Sequence, residues 1–281
     1  MRGLKRNRVH VGRWVAAAVV SSAVVVTPSA AQDAESMEIP MRIEDDRILV
    51  PVEIGHGVEV DFILSTGNAV TVLNQAFIDN HGADGDFWLG DVELNMDHYA
   101  TVSNAELNPD GGMIVGIVGA NTLNEFDLLI DPLNDRVVLQ TVGRAVEWDG
   151  VELGDPTRLR VYHGIMLGLD VDLVGRSFPA MIDTGTGRVV GSPAVGDALG
   201  IPLGEQGSST IEWASGEATD VRVHIRDLSL FDRWDPEGKG FLILGSSLAY
   251  DCALSISWLH REMRRCPGSQ TFGDAAARGE R

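Results

Sequence analysis

The chain carries one turn twice, and that repetition limits what it can fold into. Ile182-Asp183-Thr184-Gly185-Thr186-Gly187 has an earlier counterpart in Leu64-Ser65-Thr66-Gly67-Asn68, with serine in place of the aspartate. Each turn follows an apolar run, Phe62-Ile63-Leu64 or Ala180-Met181-Ile182, and precedes another, Ala69 to Leu73 or Arg188-Val189-Val190. A carboxylate on a tight glycine turn between apolar strands is costly unless something uses or satisfies it. Two such turns point to paired acid/base chemistry, and the serine at 65 leaves that pair one carboxylate short.

The repeat extends in both directions. Upstream, Val50-Pro51-Val52-Glu53-Ile54 and Leu169-Asp170-Val171-Asp172-Leu173 alternate apolar and polar residues, the period of a half-buried strand. Each reaches a hairpin (Gly55-His56-Gly57; Gly175-Arg176) and returns to the turn. Ile54 to Ser65 is 11 positions and Leu173 to Asp183 is 10, so one turn residue differs. Downstream, Asn74 and Ser192 read as N-caps, the latter followed by Pro193, of short helices ending near Gly82 and Gly200. Gly116-Ile117-Val118-Gly119 is echoed by Leu242-Ile243-Leu244-Gly245, and each leads to a strand pair, which Phe126 to Ile130 and Tyr250 to Ile256 open. The second half is longer by about eight residues, assigned to a surface loop over Trp234 to Gly240.

Around this repeat the remaining segments read simply. Arg2, Lys5, Arg6, Arg8 and Arg13 precede an apolar run from Trp14 to Val26 and the small residues Ser29-Ala30-Ala31, the pattern of a signal peptide over 1–31. The expected mature protein is exported, periplasmic or secreted, with no membrane anchor after cleavage. Its formal charge moves from -19 for the whole chain to -24, because the segment holds five basic residues and no acidic ones. So acidic a chain repels nucleic acid and anionic membrane surfaces. Cys252 and Cys266 are the only cysteines, and in an oxidising compartment they are expected to pair. The organisation expected is a first lobe over 32–145, a second over 146–266 and a loose polar tail over 267–281.

With both turns and both apolar-glycine echoes in place, the chain resembles the aspartic peptidases, and among them the retropepsin-like group with its small lobes. The resemblance covers nearly all of 38–265. It implies an all-β fold of two tandem β-barrel lobes with a cleft between them, and a polypeptide bound there as an extended strand. In that family two aspartates about 3 Å apart share a proton; one activates water while the other polarises the scissile carbonyl. Carried over, Asp183 is a catalytic carboxylate and Ser65 stands at the degenerate dyad position. Thr66 and Thr184 lock the loops through hydroxyl-to-backbone bonds, and Gly67 and Gly185 allow the close turns. Thr186 orients Asp183, while Gly119 and Gly245 support the loops from below. A flap is expected over Ser209 to Thr219 in the second lobe, and over Phe87 to Gly90 or Asn95 to Thr101 in the first. The chemistry needs no metal or organic cofactor, because water is the nucleophile, and a monomer suffices.

The departure at Ser65 separates four readings. The protein binds extended polypeptide with weak or no hydrolysis; or it is an endopeptidase using Asp183, Ser65 and water. Alternatively Asp183 pairs with Asp183 of a second chain, or it is only a structural staple of its loop. A serine can hydrogen-bond to Asp183 but cannot act as a carboxylic acid. Ser65 as a hydrolase nucleophile lacks the Gly-x-Ser-x-Gly elbow and an evident histidine partner. The histidines at 56, 81, 98, 163, 224 and 260 are scattered, without ligand spacing, and read as surface or loop.

Overall fold

Two strands whose burial alternates only in their second halves, Arg47–Ile54 and Met166–Leu173, begin the architecture, each pairing antiparallel with the strand that leads to a repeated turn. The computed structural model describes residues 36–266, except 56, 83–84, 142–147, 149, 163, 214–217 and 251. The expected signal segment, the tail after Cys266 and part of the junction between the halves lie outside the described residues. The protein is mostly β, with 47% of residues in strands and 15% in helices, so the all-β expectation holds at that coarser level. None of the described helices is long and apolar enough to cross a membrane.

Both halves use one pairing scheme. Val58–Leu64 and Arg176–Asp183 run parallel to Gly116–Val118 and Leu242–Gly245, respectively. Those two strands pair antiparallel with Val72–Asn74 and Val189–Gly191, which run parallel to Ala100–Val102 and Ala218–Ile225. In the second half Gln206–Glu212 pairs with both Ala218–Ile225 and Met166–Leu173, which closes a six-stranded barrel. The first half remains a half-barrel. Its counterpart Phe87–Leu89 is only three residues long before Gly90, at φ 59°, reverses the chain into Val92–Glu93. Too little strand remains to reach across.

A third sheet interleaves the two halves. Its order is Ser36–Pro40, Arg136–Thr141, Phe126–Asp131, Leu254–Ser257, Glu262–Arg265, Thr157–Arg158. Phe126–Asp131 of the first half pairs antiparallel with Leu254–Ser257 of the second, with Leu128 opposite Ile256. One hydrophobic cluster runs through all three sheets and includes Phe62, Leu64, Ile130, Ile182, Leu244 and Leu254. Cys252 and Cys266 form a disulfide, Cα atoms 5.6 Å apart, across the Leu254–Ser257 and Glu262–Arg265 hairpin.

Local readings are met with small shifts. The first hairpin turns through three residues between Ile54 and Val58, the second through two between Leu173 and Arg176, which accounts for the single residue of slack. The second turn is Val174-Gly175, one residue earlier than the sequence suggests. Helix Gln75–His81 is capped by Asn74, whose side chain accepts from the Ala76 amide. Ser192 occupies the N-cap position of Pro193–Leu199, but its hydroxyl accepts from the Phe241 amide instead. Tyr250 ends a 3-10 turn over Ser246–Ala249, so the following strand starts only at Leu254. The extra residues of the second half include a short helix, Ser229–Trp234, and an exposed loop over 236–239. Asp235 fixes that loop by accepting from the amides of Lys239 and Gly240.

Candidate functional site

A parallel strand pair in each half seats that half's turn. Ser65 follows the last residue of Val58–Leu64, and its amide donates to the Val118 carbonyl at 3.0 Å. Asp183 is the last residue of Arg176–Asp183 and sits in register with Gly245. Gly119 and Gly245 pass beneath the loops with no room for a side chain. A Cβ at Gly119 meets the Val70 carbonyl oxygen at 2.3 Å, and one at Gly245 meets the carbonyl oxygens of Thr186 and Arg188 at the same distance. The next amides, of Ala120 and Ser246, donate at 2.7 Å to the carbonyls of Asn68 and Thr186. Each loop thus rests on the apolar-glycine strand of its own half.

The threonines of the two turns are exchanged across the junction. Thr66 Oγ1 donates to the Ile182 carbonyl at 2.9 Å, and Thr184 Oγ1 donates to the Leu64 carbonyl at 2.8 Å. Each hydroxyl also accepts from the opposite threonine's amide, at 3.1 and 3.2 Å. Both threonines are buried, so these four bonds form without competition from water. The turn glycines permit the approach. A Cβ on Gly67 lies 2.4 Å from Asp183 Cβ and Cγ, and one on Gly185 lies 2.6 Å from Ser65 Cβ.

At the centre, Ser65 Oγ donates to Asp183 Oδ1 at 2.7 Å. The same hydroxyl accepts from the Asn68 amide at 3.1 Å and from Asn68 Nδ2 at 2.8 Å. A hydroxyl has one proton and two lone pairs, so Ser65 is fully engaged, and it is 0% exposed. Asp183 Oδ1 accepts from Ser65 and from the Gly185 amide at 2.9 Å, while Oδ2 accepts from Thr186 Oγ1 at 2.8 Å. Oδ2 therefore keeps one acceptor position beyond these bonds, and Asp183 retains a thin exposure of 9%. That carboxylate oxygen can hold a water or another donor; the hydroxyl beside it cannot.

The structure thus gathers Ser65, Thr66, Gly67, Asp183, Thr184, Gly185 and Thr186 at one point, with Gly119 and Gly245 behind them. Asn68 is the residue that sequence reasoning did not assign. Its signal was the repeat itself: it stands three positions after Ser65, as Thr186 stands after Asp183, and each donates back. Asp46 is a second addition. It lies at the turn between Arg42–Glu44 and Arg47–Ile54 and reaches the second half. Its carboxylate accepts from Arg188 Nε at 3.0 Å, and its carbonyl accepts from Ser246 Oγ at 3.0 Å.

The expected flap over Ser209 to Thr219 falls on the hairpin of Gln206–Glu212 and Ala218–Ile225, with Ile211, Trp213 and Thr219 buried and residues 214–217 outside the described set. Trp213 Nε1 donates to Thr219 Oγ1 at 2.8 Å, and the Arg265 guanidinium lies 5.3 Å from its ring. In the first half Phe87 and Leu89 are core residues. Asn95 is tied to the short helix Ala120–Leu123 through Thr122 Oγ1 and Asn121 Nδ2.

His224 is a further correction to the surface-or-loop reading. It lies on Ala218–Ile225, is buried, and lines a cavity of about 270 Å³ that begins at Gly185 and Thr186. Burial, then the nearby Arg188 and Arg226 guanidiniums, lower its pKa below the ordinary value near 6.5, with Asp46 opposing and Arg222 adding to the shift. Among the described residues no group of three or more His, Cys, Asp or Glu is placed to hold a metal ion. Compared with known proteins, the chain matches no family model and no curated protein.

Proposed function

We propose that this is an exported protein of aspartic-peptidase-like, two-lobed design that binds extended polypeptide in the groove beside Asp183. It hydrolyses the bound chain weakly or not at all. The observation that carries the reading is the saturated hydroxyl of Ser65, facing a carboxylate that keeps one acceptor position. Hydrolysis of an amide by this chemistry needs a base for water and an acid for the carbonyl and leaving amine. Asp183 can serve as the base. Ser65 has no proton to give without breaking its bond to Asp183, and its ordinary acidity is far too low. Loss of one such partner costs about 10²- to 10⁴-fold in rate. Asp183 is engaged by Ser65 of its own chain, so a dyad with a second chain is not the reading we favour. The Cys252–Cys266 disulfide fits an oxidising, extracytoplasmic compartment.

Restoring the missing carboxylate tests the proposal. Ser65→Asp is expected to create acid-optimum cleavage of unfolded polypeptide, abolished again by Asp183→Asn in the same background. The unsubstituted protein should bind unfolded polypeptide in an equilibrium assay while turning it over at least about 100-fold more slowly than Ser65→Asp. Robust cleavage by the unsubstituted protein, lost in Asp183→Asn, establishes a working peptidase instead. If Ser65→Asp cleaves nothing and no peptide binds, Asp183 is a loop staple.

A further inference from the structure

The groove beside Asp183 differs in charge from the rest of the chain. The sequence has 41 acidic residues against 22 basic ones, yet Arg47, Arg188, His224 and Arg226 line the cavity that starts at Gly185 and Thr186. A second cavity, about 470 Å³, shares Arg188, His224 and Arg226 and continues the groove toward Gly204. The acidic side chains there are Asp45, Asp46 and Glu205. Asp46 is the partner of Arg188 Nε, and Arg47 gives Nη1 to the Leu107 carbonyl at 2.8 Å.

Arg188 and Arg226 are anchored but not exhausted. Among the described residues Arg188 spends its Nε on Asp46, and its side chain is 57% exposed. Arg226 spends Nη1 on the Gly204 carbonyl at 2.9 Å and is exposed. A guanidinium has five N–H donors in a planar fork, so each keeps donors for a bidentate acceptor. The anchoring bonds also lower the entropy lost when a ligand is gripped. His224 lines both cavities with them, and its pKa is lowered first by burial and then by the two guanidiniums. Charges beyond about 10 Å are screened at ordinary salt, so these groups, not the acidic surface at large, set the potential a ligand meets here.

We infer that this groove takes a carboxylate of the bound polypeptide, an acidic side chain or the C-terminal carboxylate, gripped by Arg188 and Arg226. The inference rests on the polypeptide-binding reading and names what that site selects. Its place next to Thr186, which holds Asp183 Oδ2, puts the selected residue within a few residues of the segment lying over Asp183.

Short fluorescent peptides of otherwise identical sequence test it, with the full mature protein and anisotropy as the readout. One arm compares Glu with Gln at each position in C-terminally amidated peptides; the other compares free-acid with amidated C-termini. Glu over Gln at one register, or free acid over amide, is expected by about tenfold, the scale of one charge-assisted bond. That preference should weaken at high salt and fall toward unity in Arg226→Gln, with Arg226→Lys retaining part of it. Equal affinity in both arms, with binding intact, overturns the carboxylate inference and leaves the polypeptide reading standing. If no peptide of either arm binds, both fall together.

Discussion

Asp127 shows how differently two buried carboxylates can be treated in one chain. Asp183 has hydrogen bonds on both oxygens, whereas Asp127 in the interleaved sheet is 1% exposed and its Oδ1 has no hydrogen-bond partner among the described residues. Burial raises the Asp127 pKa, against a lowering hydrogen bond from Ser257 and the charge of His260. Because the folded pKa lies above the unfolded one, the contribution of Asp127 to stability is complete below the unfolded value, near 4. It is lost as pH rises through the folded value. Asp127→Asn should therefore raise stability at neutral pH, by about 1 kcal/mol, because a neutral amide replaces a charge that burial disfavours. It should also flatten the fall in stability between mildly acid and neutral pH. Thermal melts of both forms across that range check it, and an Asn form that is less stable at every pH refutes it.

At the scale of elements, the two hairpins that lead into the site differ in their turns. Val174 has φ 46° and Gly175 has φ 74°, the paired positive values of the tightest β-hairpin turn. Glycine adopts that conformation freely, but a β-branched valine crowds the next carbonyl there. Val174 is 64% exposed, so it offsets the strain with little burial. Val174→Asn is expected to stabilise the protein by about 1 kcal/mol, read as a higher denaturation midpoint with an unchanged slope. A lower midpoint shows that the valine side chain contributes more than its exposure indicates. The strands themselves were legible because alternation and apolar runs are local signals. The barrel closure was not: Ile211 alternates like any strand residue, and only the pairing with Met166–Leu173 sets it opposite Leu173 in the core.

For the whole molecule, the decisive contact is the antiparallel pair between Phe126–Asp131 and Leu254–Ser257, which joins strands from the two halves into one sheet. The main hydrophobic cluster is common to all three sheets, and only smaller clusters, around Leu49 and Ile63 or around Phe231 and Phe241, belong to one half alone. Unfolding in denaturant should accordingly be a single transition by fluorescence and circular dichroism. The disulfide closes a separation of 14 residues and ties only the last hairpin. Replacing both cysteines with serine should cost about 3 kcal/mol while keeping one transition. Two resolved transitions, or no loss of stability, contradict this account.

The amino-acid sequence by itself determined the repeated turns, the strands around them, the capped helices and the cysteine pair, because each rests on neighbours within a few residues. It also singled out Ser65 and Asp183. Tertiary structure decided what those two residues do to each other. The same hydroxyl that faces Asp183 is consumed by Asn68, and the loop bearing Asp183 is met by Asp46 from a distant hairpin. Arg188, His224 and Arg226 share one groove only because a parallel strand pairing sets Val189–Gly191 beside Ala218–Ile225. Hydrogen-bond saturation and local charge are properties of three-dimensional neighbourhoods, and no spacing along the chain encodes them directly.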